Sequence, residues 1–97
     1  MKAVFLSYNQ ALTDRVNAIL DEQGIRGFTK WALTEGRGSV DGEPRYGTHA
    51  WPSMNASILA IVDDEKVAPL MDAFREMDAA TRMQGARAFV WNIESGF

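Results

Sequence analysis

Apolar and polar residues alternate along this chain in short blocks, and four of these blocks have the two-residue period of a β-strand. The first block is apolar on both sides of the alternation, with Val4 and Leu6 on one side and Phe5 on the other, so we expect a strand inside a sheet. In the second block, Thr34 falls on the same side as Phe28. The predicted strands cover residues 2–8, 28–34, 56–62 and 87–93.

Two further blocks have the three- and four-residue spacing of an amphipathic helix. The first follows Asn9 or Thr13, either of which can cap a helix, and stops at Gly24, a residue suited to left-handed backbone. The second opens on Asp63 and Asp64, whose carboxylates favour a helix N-terminus and predict its cap. The predicted apolar faces are Leu12, Val16, Ile19 and Leu20 in the first helix, and Val67, Leu70, Met71, Phe74 and Met77 in the second, which covers 63–78.

The predicted order is strand, helix, strand, strand, helix, strand, with a long loop between the middle strands. This order is typical of the α+β ferredoxin-like (βαββαβ) fold, a four-stranded antiparallel sheet with both helices on one face. We expect residues 1–97 to form a single domain of this fold. Because two helices cover only one face of a sheet that is apolar on both, the other face predicts association of several copies of the chain.

Residues 36–55 interrupt the regular pattern with repeated glycine and proline, and we predict a long mobile loop there. The loop also carries His49 and Trp51, which a plain linker does not need. With Asp41 or Glu43, or with its own copies around an oligomer axis, His49 is a candidate ligand for a divalent transition metal. The alternative is a loop histidine that only makes hydrogen bonds.

Composition narrows the classes of function. Of 97 residues, 46% are hydrophobic and 24% charged, which is typical of a folded globular domain. Ten basic and thirteen acidic side chains give a net charge of −3, so we expect no nucleic-acid partner. Without cysteine there is no disulfide, thiolate zinc site or cysteine nucleophile, and the one histidine has no convincing triad partners, so we expect no enzyme. The first apolar stretch is too short for a signal peptide, which predicts a cytoplasmic protein.

Two glycine–arginine segments are candidate anion sites. Gly36-Arg37-Gly38 directly follows a predicted strand, and Gly85-Ala86-Arg87 directly precedes one. Guanidinium groups match phosphate oxygens, so Arg37 and Arg87, together with Arg82, are candidates for an anion pocket at a subunit junction. The first segment lacks the Lys and the Ser or Thr of a phosphate-binding P-loop. The alternative interpretation is that the first segment is a flexible hinge into the long loop and that Gly85 lies in an ordinary turn.

The chain resembles the PII-like signalling proteins, relatives of the nitrogen-regulatory PII trimers, over nearly its whole length. The resemblance rests on the βαββαβ order, on Gly36-Arg37-Gly38 at the entry of the long loop, on the acid-rich start of the second helix and on the final strand. Residues 85–94 read Gly-Ala-Arg-Ala-Phe-Val-Trp-Asn-Ile-Glu, similar to the family pattern Gly-x-Lys-x-Phe-Val-x-x-Val-Glu. Arg87 stands where the family usually has a phosphate-binding lysine.

This resemblance implies a homotrimer with a ligand cleft between each pair of subunits. Members of the family bind adenine nucleotides there, and their mobile loop changes shape to engage a membrane transporter or an enzyme. By the resemblance, Gly36 and Gly38 line the cleft at the loop base, and Gly85 and Arg87 face the phosphates. The copper-tolerance CutA family shares the trimeric plan and is the alternative, with His49 as a metal ligand; the expected effector is therefore a small molecule or a metal.

Overall fold

The elements of the fold follow the predicted order along the chain. The computed structural model describes residues 1–37, 44–48, 53–81 and 85–97. Each strand agrees with its predicted bounds to within one residue at either end. The elements are β1 (Lys2–Asn9), a 3-10 turn (Gln10–Leu12), α1 (Thr13–Glu22), β2 (Phe28–Thr34), β3 (Asn55–Val62), α2 (Asp64–Ala80) and β4 (Ala86–Asn92). Across the described residues, no helix has both the length and the hydropathy needed to span a membrane.

One antiparallel sheet holds the four strands in the order β2-β3-β1-β4. The first strand of the chain therefore lies inside the sheet, between β3 and β4, as its two apolar faces predict. Both helices connect strands that are not neighbours in the sheet, and they pack on the same face. The predicted α+β ferredoxin-like architecture is confirmed.

The hydrophobic core lies between the helices and one face of the sheet, which we call the covered face. β1 contributes Val4, Leu6 and Tyr8 to it, and each of these is fully buried. Opposite them in β3 lie small and branched residues, so the helices approach the sheet closely. The other buried members of this core are Leu12, Val16, Leu20, Ile25, Ala56, Ile58, Ala60, Val62, Leu70, Phe74 and Met77.

The Tyr8 hydroxyl is the exception in this apolar core. It is buried, and it has no hydrogen-bond partner within the part of the chain that the structure describes. Burial raises the pKa of the Tyr8 phenol above its usual value of 10.0, and the neighbouring Thr13 side chain, outside hydrogen-bonding geometry, opposes this rise in part. A buried hydroxyl without a partner reduces stability.

The start of the first helical segment uses one of the two predicted caps, Asn9. The Asn9 side chain accepts a hydrogen bond from the backbone N–H of Ala11 at 3.0 Å and opens the 3-10 turn. The Thr13 hydroxyl donates to the carbonyl of Gln10 at 2.6 Å and does not cap α1, whose N-cap position is Leu12 without a side-chain hydrogen bond. After the helix, Gly24 has φ +70°, the left-handed backbone predicted for it.

The start of the second helix differs from the prediction. Asp63 occupies the capping position, but its carboxylate accepts no capping hydrogen bond. The carboxylate of Asp64 instead binds the amino group of Met1 at 2.7 Å, and this hydrogen bond and positive charge lower the pKa of Asp64. The prediction that the two aspartates cap α2 with their side chains is therefore wrong for Asp63.

A β-bulge in β2 corrects a second detail. Trp31 lies opposite Ser57 of β3, whereas Thr34 lies opposite Asn55, so β2 uses one more residue than β3 between these pairs. The extra residue turns Thr34 to the face that holds Trp31, away from the side of Phe28 to which strict alternation assigned it. A two-residue period cannot reveal a bulge, because each half of the strand keeps the same alternation.

The second face of the sheet, which we call the open face, has no helix over it within the described chain. Several large apolar side chains are exposed on it: Trp31 by 46%, Phe89 by 59%, Trp91 by 48% and Ile61 by 44%. An apolar face of this kind is the one that the sequence predicted to mediate association. By strand register, the open face comprises Ala3, Phe5, Ser7, Asn9, Thr29, Trp31, Thr34, Asn55, Ser57, Leu59, Ile61, Arg87, Phe89 and Trp91.

Candidate anion-binding cleft

The long loop leaves and re-enters the fold through a short antiparallel bridge. The Gly36 N–H donates to the carbonyl of Arg45 at 3.0 Å, and the Arg45 N–H donates back to the carbonyl of Gly36 at 2.7 Å. Tyr46 and Met54 form a second bridge closer to β3. These bonds fix where the two ends of the loop lie, so a side chain at position 45 is held against the sheet.

The Arg45 side chain turns toward the polar end of the open face. Its guanidinium donates to Oδ1 of Asn55 at 3.1 Å, and Nδ2 of Asn55 lies 3.4 Å from Oγ of Ser7 on β1. Asn55 is only 5% exposed, so a polar side chain is buried here at the first position of β3. We call Ser7, Gly36, Arg45, Asn55 and Gly85 the loop-base cluster.

Both glycines of this cluster leave room for a polar side chain. A Cβ on Gly36 would lie 2.7 Å from Nδ2 of Asn55, too close for any real contact. A Cβ on Gly85 would lie 3.3 Å from one terminal nitrogen of Arg45 and 3.7 Å from the other. Gly85 also has φ +69°, which disfavours any other residue, and its carbonyl accepts from the Asn9 N–H at 3.4 Å. The two glycines thus flank one arginine–asparagine pair.

Arg87 lies beside this cluster on the open face. It is exposed and stands directly opposite Ser7 in the pairing of β1 with β4. Its guanidinium donates to the carbonyl of Ala86 at 3.1 Å. A second polar pair, Thr34 and Ser57, joins β2 to β3 nearby through their hydroxyls at 3.2 Å.

The arrangement favours binding of an anion. Two guanidinium groups, those of Arg45 and Arg87, belong to neighbouring positions on one side of the sheet, and Gly36 and Gly85 admit a ligand or side chain close to the backbone. Among the described residues of this cluster, no nucleophile has a neighbouring general base.

A cavity of about 150 Å³ lies elsewhere, between α2 and β4 on the covered side. Asp78 at its edge accepts a hydrogen bond from the Ala86 N–H at 3.0 Å, which ties the end of α2 to the start of β4. The cavity is lined by apolar side chains and by the charged Arg75 and Asp78, and it does not include the loop-base cluster. Its lining residues are Leu6, Met71, Phe74, Arg75, Asp78, Ala86 and Ala88.

Comparison with known proteins bears on this site. No protein-family model matches the sequence, and no curated protein is significantly similar to it. Solved structures do match. CPII from Thiomonas intermedia K12, a nitrogen regulatory PII-like protein bound to ADP, AMP and bicarbonate, has a TM-score of 0.77 and 26% identity, over 95% of this chain and 84% of that one. The chain is therefore similar to a PII-like nitrogen regulatory protein over nearly its whole length.

Two further structures show the same fold. CPII bound to ADP, AMP and acetate has a TM-score of 0.76 and 23% identity, over 99% of this chain and 88% of that one. A PII-like signaling protein from Thermus thermophilus has a TM-score of 0.67 and 21% identity, over 95% of this chain and 85% of that one. The resemblance to PII-like proteins drawn from the sequence is confirmed.

The structure of this PII-like chain brings some of the predicted site residues together. Gly36 and Gly85 meet the same arginine–asparagine pair, and Arg87 stands opposite Ser7 of the cluster. Arg37 follows Gly36 and is exposed. Gly38 and His49 lie outside the described residues, as does Arg82. Around the residues that are described, no group of three or more metal-ligating side chains occurs.

Sequence reasoning did not select Arg45 or Asn55 as site residues. Arg45 was one of several charged residues in the loop, and only the bridge to Gly36 singles it out. Asn55 carried a usable signal, because it is a polar residue at the start of an otherwise apolar strand. Buried amides in strands generally have a hydrogen-bonding role, so its position deserved more weight.

Proposed function

We propose that this PII-like protein is a regulator that senses a small anionic ligand, an adenine nucleotide first of all, at the loop-base cluster. One observation carries the proposal: the two ends of the long loop and the turn at Gly85 converge on the Arg45–Asn55 pair. Arg87 adds a second guanidinium beside it. The similar protein CPII is bound to ADP, AMP and bicarbonate, and all three are anions.

The proposal includes a homotrimer, in which the clefts lie between subunits. The open face supports association because Trp31, Phe89 and Trp91 are about half exposed in one chain. Covering one side chain of this size is worth roughly 1.5–3 kcal/mol, so a closed assembly of these faces would be strongly favoured. The number three follows from the family resemblance.

The loop is the proposed output of the sensor. Its two ends are held by a pair of backbone hydrogen bonds between Gly36 and Arg45, so a ligand at that bridge acts where the loop begins and ends. A change in the loop would then control a partner, either a membrane transporter or an enzyme. The function is regulatory, with no chemical step assigned to the cluster.

Calorimetric titration of the purified protein with ADP, AMP and bicarbonate tests this proposal. We expect at least one of them to bind, and Arg87→Ala to weaken binding by about ten- to a hundredfold, the range of a lost charge-assisted hydrogen bond. Arg15→Ala, which removes an exposed charge from α1, is the matched control and should leave binding unchanged. If none of the three binds, or if both variants behave alike, the proposal is wrong.

The metal-tolerance alternative receives no support from the comparisons, because the similar structures are nitrogen-regulatory PII-like proteins. Its candidate ligand, His49, lies outside the described residues. The nucleotide proposal therefore stands alone.

A further inference from the structure

Arg45 is held in place from two directions. Its backbone makes both hydrogen bonds of the bridge with Gly36, at 3.0 and 2.7 Å. Its side chain donates to the buried Asn55, whose own amide lies 3.4 Å from Ser7. An arginine fixed at both ends loses little conformational freedom when it binds an anion, because most of its ordering has already occurred on folding.

The surroundings of the guanidinium fit this role. Its terminal nitrogens lie against Gly85, 3.3 and 3.7 Å from where a Cβ would stand. Arg45 is half-buried, whereas Arg87 is exposed. Water screens a half-buried charge less than an exposed one, so Arg45 offers the stronger attraction to an anion at the cleft.

We propose that Arg45 is a specificity-determining residue, which recognises the oxyanion of the ligand, a phosphate or a carbonate, at the Gly85 turn. The inference rests on the proposed function, since it concerns the same cleft. Asn55 is the positioning residue: its side-chain carbonyl orients the guanidinium, and it acts on the ligand through Arg45. Both residues lie outside the set that the sequence predicted.

This role couples the anion to the loop directly. Arg45 is the residue at which the loop returns to the sheet, so a ligand that holds its guanidinium also holds the Gly36 bridge. An uncharged analogue of the same nucleotide makes no such contact. Arg45 therefore allows the cleft to distinguish charged from neutral ligands.

The test is a set of binding titrations with three probes: ADP, bicarbonate and the neutral nucleoside adenosine. The variants are Arg45→Ala, Arg45→Lys, Asn55→Ala and the double variant of Arg45→Ala with Asn55→Ala. Ser57→Ala is the matched control, because Ser57 is also 5% exposed on the same strand and face but bonds to Thr34. Circular dichroism and sedimentation of each variant check that fold and assembly are unchanged.

We expect Arg45→Ala to weaken ADP binding by about ten- to a hundredfold while adenosine binding changes less than about threefold. Arg45→Lys should recover part of the loss, because charge remains but the planar fork is gone. Asn55→Ala should weaken ADP binding by a few-fold in the wild-type background and have no further effect once Arg45 is removed. A loss of bicarbonate binding in the same variants would assign the site to any oxyanion, and its retention would assign it to phosphate.

Three results overturn the inference or part of it. If Arg45→Ala binds every anion that the wild type binds, and binds each of them equally well, Arg45 has no such role while the proposed function survives. If Asn55→Ala adds the same loss with and without Arg45, Asn55 does not act through the guanidinium. If the wild type binds none of ADP, AMP and bicarbonate, the proposed function and this inference are both wrong.

Discussion

The two faces of the same sheet have opposite characters. On the covered face, Val4, Leu6 and Ile58 are fully buried under the helices. On the open face, Phe89 and Trp91 are about half exposed, and buried polar side chains gather at one end. The covered face packs against the helices through apolar side chains, whereas the open face presents aromatic side chains and hydrogen-bonding groups on its surface. The comparison supports the proposal that one face stabilises the fold while the other serves assembly and ligand binding.

The largest expected effect concerns the covered face. Leu6→Ala removes a fully buried side chain, and the cavity it leaves should lower the free energy of unfolding by about 2–5 kcal/mol. Urea unfolding followed by circular dichroism measures this. A loss below about 1 kcal/mol would mean that this face is not the stabilising core.

The next effect concerns the open face, where the same kind of truncation should act on assembly instead. Combined Phe89→Ala and Trp91→Ala should convert the proposed trimer, about three times 10.8 kDa, to monomer at micromolar concentration. Sedimentation equilibrium gives the mass, and secondary structure should be retained. If the double variant stays trimeric with unchanged affinity, the open face is not the interface.

Removing a hydroxyl from each of the two faces should change the free energy of unfolding in opposite directions. Tyr8→Phe removes a buried hydroxyl without a partner in the described chain and should raise the free energy of unfolding by about 1 kcal/mol. Ser57→Ala removes a hydroxyl that bonds to Thr34 and should lower it by about 1 kcal/mol. Thermal unfolding at neutral pH compares them. Equal signs for the two variants would contradict the comparison.

The raised pKa of Tyr8 adds a dependence on pH. In the folded protein the phenol keeps its proton above pH 10.0, whereas in the unfolded chain it ionises near that value. Ionisation therefore favours the unfolded chain, and stability should fall as pH rises above 10.0. Tyr8→Phe should remove this part of the fall. An unchanged slope in the variant, measured between pH 9 and pH 11, would show that Tyr8 ionises freely when folded.

The smallest effect is expected at the start of α2. Asp63→Ala removes a carboxylate that makes no capping hydrogen bond, so stability should change by less than about 0.5 kcal/mol. A loss of about 1 kcal/mol or more, typical of a true side-chain cap, would contradict the structure here. Chemical denaturation at neutral pH measures the difference.

Most of the fold could be predicted because its signals are local. The period of two in 28–34 and the cap at Asn9 depend on neighbouring residues, and both were predicted correctly. The face of Thr34 was not, because a bulge changes the register without changing the pattern on either side of it. The side-chain capping role of Asp63 was also wrong, although Asp63 does occupy the N-cap position.

The candidate site was predictable only in part for the same reason. Gly36 and Gly85 stood out because glycine next to a strand is a local signal. Their common neighbour, Arg45, depends on contacts between the loop and two strands, which no local pattern contains. The predicted mobility of residues 36–55 and the ligand role of His49 stay predictions.

The most direct test of an anion-responsive cleft is an amide NMR titration of the ¹⁵N-labelled protein with ADP. The account predicts that the largest shift changes occur at Gly36, Arg45 and Gly85, with Asn55 side-chain signals moving at the same ligand concentration. The amide signals of α1 should not shift. Changes centred on the cavity between α2 and β4, or no saturable change at all, would contradict it.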